Sequence, residues 1–83
     1  EILKVKLRFL FFVAQDAINF NFHPTQKVKM QDDGSAIITF NASGDKEIMW
    51  HIFKWGSEVR LLAPKSLQNE YKKYLNSVLE INS

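Results

Sequence analysis

Cysteine is absent from the 83 residues, and glycine and proline are scarce, at three and two. Without cysteine there can be no disulfide and no thiolate metal site, a composition that fits a reducing compartment. Three isolated glycines cannot form a glycine-rich phosphate loop. The longest apolar run, FLFFVA from Phe9 to Ala14, has six residues, against the roughly twenty that a membrane-spanning helix needs. No small-residue cleavage site follows it, so it does not read as a signal peptide. A soluble chain without membrane contact is expected.

Reactive groups are equally sparse. His23 and His51 are the only histidines, far apart in sequence and without a neighbour at metal-ligand spacing. Ser35, Ser43, Ser57 and Ser66 fall where turns or helix starts account for them, with no base in view. Asp32-Asp33 lacks the later ligands of a calcium loop. No catalytic residue, metal or cofactor is expected, and the chain reads as a non-enzyme.

What is present is a core. Apolar residues make up 46% and aromatics 13%, too many for a disordered chain and enough for one domain over residues 1–83. The chain opens on Glu1-Ile2-Leu3-Lys4, already in a strand pattern and without an initiator Met. A C-terminal piece of a longer protein is therefore expected.

Hydrophobic periodicity orders the elements. ILKVKLRFL (2–10) alternates, with Leu3, Val5, Leu7 and Phe9 opposite Lys4, Lys6 and Arg8, which predicts a half-buried strand. FFVAQDAINF (11–20) spaces Ala14, Ala17 and Ile18 as a short helix, ended by Pro24 and its restriction on His23. QKVKMQ (26–31) and SAIITFNA (35–42) alternate again around Asp32-Asp33-Gly34-Ser35, and Asp-Gly is a strong hairpin signal. Residues 43–55 predict a helix with Ile48, Ile52 and Trp55 on its apolar stripe and Gly56 as its stop. SEVRLLA (57–63) predicts a fourth strand ended by Pro64. Residues 65–81 predict a terminal amphipathic helix bearing Leu67, Tyr71, Leu75, Val78 and Leu79. Tyr74, three residues from Tyr71, is left as a candidate contact residue.

The order β-α-β-β-α-β-α implies an α+β, ferredoxin-like βαββαβ sandwich: an antiparallel sheet in order 4-1-3-2, with an extra C-terminal helix. Both crossover helices then cover one face of the sheet. The alternations place Lys4, Lys6, Arg8, Lys27, Lys29 and Arg60 on the other face, beside Ile37, Thr39 and Glu58. These six are the candidate ligand- or nucleic-acid-binding residues. Three readings stay open: a groove for a phosphate backbone or acidic partner, a solvated polar face, or a surface buried against another domain. Phe9 and Phe40 are expected on the helix side, which argues against base stacking on this sheet.

The remaining motif is FHPTQ, with Phe22, His23, Pro24 and Gln26. A histidine here can serve as a ligand, a base or a turn-closing group; the turn role is favoured, with His23 bonding through one ring nitrogen.

In order, VKLRF, FHPTQ, DDGSAIITF and EIMWHIFKWGSEVRLLAPKSLQNEYKKYL resemble the C-terminal extension (WCX) domain of bacterial WYL-domain transcriptional regulators. The likeness spans essentially the whole chain. It departs at Phe22, where the family often carries Trp and so an indole N–H that Phe lacks. The Trp-Tyr-Leu signature is also absent, as expected if it belongs to a preceding domain. The resemblance implies a cytoplasmic, non-enzymatic regulatory domain serving effector response or dimerisation. Its implied partners are a WYL domain and a helix-turn-helix domain of the same chain, the latter contacting DNA, and a second copy in a homodimer. It also admits an oligonucleotide or nucleotide effector. A nucleic-acid- or nucleotide-binding module using the basic face is the alternative.

Overall fold

The computed structural model describes residues 2–83. Strand β1 (Leu3–Phe9) leads into helix α1 (Phe11–Ile18), strands β2 (Lys27–Met30) and β3 (Ala36–Ala42), helix α2 (Asp45–Trp55), strand β4 (Val59–Ala63) and helix α3 (Lys65–Ile81). The strands form one antiparallel sheet in order β2-β3-β1-β4, the expected 4-1-3-2 read from its other edge. This is the ferredoxin-like arrangement with a terminal helix added.

Alternation in the strands builds the core. Val5, Leu7 and Phe9 on β1 and Ile38 and Phe40 on β3 are buried on the helix side, where Ile48, Met49 and Ile52 of α2 and Leu67 of α3 meet them. Each large side chain so buried contributes roughly 1.5–3 kcal/mol. Ala14 and Ala17 are the buried positions of α1, and their small size lets the helix lie close to the sheet.

Boundaries differ from the periodic reading where tertiary contacts intervene. Helix α1 ends at Ile18 rather than Phe20, because Phe20 turns into an aromatic cluster with Phe22 and Trp55. Its carbonyl accepts a bond from Gln26 Nε2 at 3.0 Å. Strand β4 begins at Val59 rather than Ser57. Gly56, at φ 62°, ends α2, and Gly56–Glu58 form a single 3₁₀ turn. Glu58, expected within the fourth strand, ends that turn instead, and its carbonyl still accepts the Leu10 N–H at 3.1 Å beside β1. Tyr74 packs partly buried beside Tyr71, the rings stacked at 6.4 Å.

One irregularity shapes the open face. Leu7 pairs with Leu61 but Lys6 pairs with Ala63, so Leu62 is an extra residue in the ladder. Gln68 Nε2 donates to the carbonyls of Leu61 and Leu62 at 2.8 and 3.2 Å, satisfying the backbone that the bulge disturbs.

A basic sheet face as the candidate functional site

Cross-strand register sets the rows of the open face. One row runs Lys27, Thr39, Lys6, Ala63; the next runs Lys29, Ile37, Arg8, Arg60; Lys4 stands opposite Asn41 beyond them. Directly paired residues of an antiparallel ladder point to the same side. The register therefore brings Lys4, Lys6, Arg8, Lys27, Lys29 and Arg60 onto one surface, away from the helices.

These cations differ in state. Arg8 Nη2 lies 2.7 Å from Asp33 Oδ2, and its Nε donates to Ser35 Oγ at 3.2 Å. Asp33 sits in the hairpin turn and also accepts from Ser35 Oγ and Ser35 N–H, at 2.6 and 2.9 Å. Those two bonds, then Arg8, hold its carboxyl below the ordinary carboxylate range. Lys4, Lys6, Lys27, Lys29 and Arg60 have no carboxylate within salt-bridge distance among the described residues.

Three of the unneutralised lysines surround a depression of about 440 Å³. Lys4, Lys6 and Lys27 line it with Thr25, Thr39 and Asn41. The bulge at Leu62 matters here. Without it, a leucine would stand opposite Lys6; with it, the small Ala63 does, leaving the space open. Ammonium groups, hydroxyls and an amide around one concavity form a donor set suited to phosphate or carboxylate oxygens. Phe9 and Phe40 lie buried on the opposite side of the sheet, so no aromatic platform for base stacking stands on β1 or β3.

The FHPTQ segment is a clamp on the chain. Gln26 Oε1 accepts the Phe22 N–H at 2.8 Å, while Nε2 holds Phe20. Thr25 N–H donates to His23 Nδ1 at 3.2 Å, and Thr25 Oγ1 lies 2.9 Å from the same nitrogen while accepting Asn41 N–H at 2.9 Å. Nδ1 thus acts as acceptor, which leaves the ring proton on Nε2. Phe22 stacks on Phe40 at 5.6 Å and 9°, while Pro24 is exposed at the turn. Phe22, His23, Pro24 and Gln26 therefore lie together in one turn that ties the end of α1 to the sheet. Pattern reasoning passed over Thr25, whose hydroxyl links this turn to β3 and lines the basic depression.

His23 and His51, distant in sequence, line one recess of about 110 Å³ with Ser43 and Glu47. Among the described residues no group of three His, Cys, Asp or Glu side chains is placed to hold a metal ion. Asp33 and Ser35 are the other residues that pattern reasoning missed. The Asp-Gly signal located their turn, but only the register brings it against Arg8.

The chain is a small α+β domain whose sheet is covered by helices on one face and carries six cationic side chains on the other. The model of the WCX domain family matches residues 1–79, and the chain belongs to that family. These are regulatory accessory domains, not a known enzyme family. No curated protein matches the chain. No helix among the described residues is long and apolar enough to cross a membrane.

Proposed function

We propose that the domain is a non-enzymatic regulatory module of a cytoplasmic WYL-type helix-turn-helix transcriptional regulator, responding to a polyanionic effector at the basic face. In this reading the WYL and DNA-binding domains precede it in the same polypeptide. The carrying observation is the cluster of Lys4, Lys6 and Lys27, without carboxylate partners among the described residues, around a donor-lined depression. Like charges so placed repel one another, and an anion relieves that repulsion. A nucleotide or oligonucleotide bound there switches the regulator only if it favours one interdomain arrangement over another.

The test is binding of a fluorescent single-stranded oligonucleotide at increasing salt. Each phosphate contact contributes about 0.7 to the logarithmic salt slope of a single strand. Lys6→Glu with Lys27→Glu should lower that slope by about 1.4 and weaken binding at low salt. The same double variant in the whole regulator should abolish effector response with an unchanged circular dichroism spectrum. Unaltered binding and response would leave the face as solvated surface.

Dimerisation is the second reading, supported by the far end of α3, where Leu75 and Leu79 are exposed one helical turn apart. Leu75→Glu with Leu79→Glu should convert a dimer into a monomer by sedimentation. A wild-type chain that is already monomeric at high concentration would remove this reading.

A further inference from the structure

Strand β2 is the free edge of the sheet on the hairpin side, and all four of its residues are exposed. The direction of its backbone follows from the turn. Gln31 N–H donates to Ser35 C=O at 2.8 Å, so Gln31 turns its polar groups toward β3. Alternation along an antiparallel ladder then turns Lys29 and Lys27 inward as well, and Met30 and Val28 outward. The N–H and C=O of Val28 and Met30 face solvent at the edge.

Side chains alternate in the other sense. Val28 and Met30 pair with Ile38 and Ala36, which are buried on the helix side, yet are themselves 43% and 51% exposed. The helix layer thus leaves both side chains only partly covered. Lys27 and Lys29 project to the open face, without a carboxylate partner among the described residues. A recess flanks the strand on each side. One, of about 420 Å³, is lined by Lys6, Lys27, Lys29, Ile37 and Thr39. The other, of about 300 Å³, lies among Ile18, Phe20, Gln26 and Val28.

We propose that β2 is a docking edge for an extended protein segment in which acidic and apolar residues alternate. Such a segment adds a fifth strand by bonding the outward groups of Val28 and Met30. Period-two alternation sends its carboxylates over Lys27 and Lys29 and its apolar side chains onto Val28, Met30 and the recess beside Ile18. A second copy of this chain is a poor occupant, because β2 paired with β2 sets the lysines of one edge against those of the other. A nucleic acid fits only half of the edge, since it would engage the lysines and leave the apolar side unused.

The experiment uses the full chain and a capped seven-residue peptide alternating valine and glutamate. A control peptide carries the same residues in two blocks. The alternating peptide should slow amide hydrogen exchange at Val28 and Met30 at least tenfold, with the control showing no such protection. Val28→Pro removes an outward N–H while sparing the β3 ladder, and should weaken binding at least tenfold. Lys27→Glu with Lys29→Glu should transfer the preference to a valine–lysine peptide, which keeps the test decisive if the proline variant folds poorly. Equal binding of both glutamate peptides, or no protection at Val28 and Met30, overturns the proposal.

Discussion

Arg8 faces Arg60 directly across the β1–β4 ladder, and the guanidinium of Arg8 is held by Asp33 from the hairpin turn. Two like charges at opposed positions of a sheet repel each other. The carboxylate offsets this for one member only, and the open face is thus divided. A partly neutralised arginine row lies next to a lysine row that has no counter-ion among the described residues.

Asp33 should titrate below the usual aspartate range, because Ser35 and Arg8 favour its ionised form. The folded value lies below the unfolded one. Its contribution to stability is therefore complete above the unfolded value and fades as pH falls through the folded one. An NMR titration of the Asp33 carboxyl carbon checks this, and an ordinary value would contradict it. Asp33→Asn should release Arg8 and strengthen binding of an oligonucleotide to the open face, read as a steeper salt dependence.

Gln26→Ala should destabilise the fold by about 1–2 kcal/mol, since it removes two bonds to part-buried backbone groups at Phe20 and Phe22. Gln26→Glu keeps the acceptor but sets a carboxylate against the Phe20 carbonyl, so it should not rescue. Urea denaturation of the three proteins measures the difference. Equal midpoints would show that the clamp is dispensable.

Leu67 and Leu79 share the apolar stripe of α3 but not its burial, at 1% and 68% exposed. Leu67→Ala should cost about 2–5 kcal/mol by opening a cavity in the core. For the monomeric chain, Leu79→Ala should stay within about 0.5 kcal/mol. Chemical denaturation at low protein concentration separates the two. A comparable loss at Leu79 would point to burial of that turn against another surface.

Gly34 occupies φ 85°, and a side chain there would meet Phe11 Cβ at 3.2 Å. Gly34→Ala should therefore destabilise by about 1–2 kcal/mol from the left-handed backbone alone. Thermal unfolding reads the loss. A neutral result would mean that the turn can change type without disturbing the hairpin.

Much of this was legible before any contact was known. Alternation in LKVKLRF and AIITFNA assigns each side chain to a face with period two, and Asp33-Gly34 joins the hairpin, so the sheet order and the common side of the six cations follow. Helix periodicity likewise places Leu67, Tyr71 and Val78 on one stripe. It could not show that burial stops short of Leu79, because a stripe records which face is apolar and not how far the neighbouring layer reaches.

Local spacing determined the type and order of the elements and the face on which each strand side chain stands, because backbone periodicity is a property of neighbours along the chain. Tertiary structure decided the rest. The extra residue at Leu62 puts Ala63 beside Lys6, the hairpin delivers Asp33 to Arg8, and Thr25 reaches β3 from a turn many residues away. Each depends on the register between distant segments, which packing of the whole sheet selects and no short window of sequence encodes.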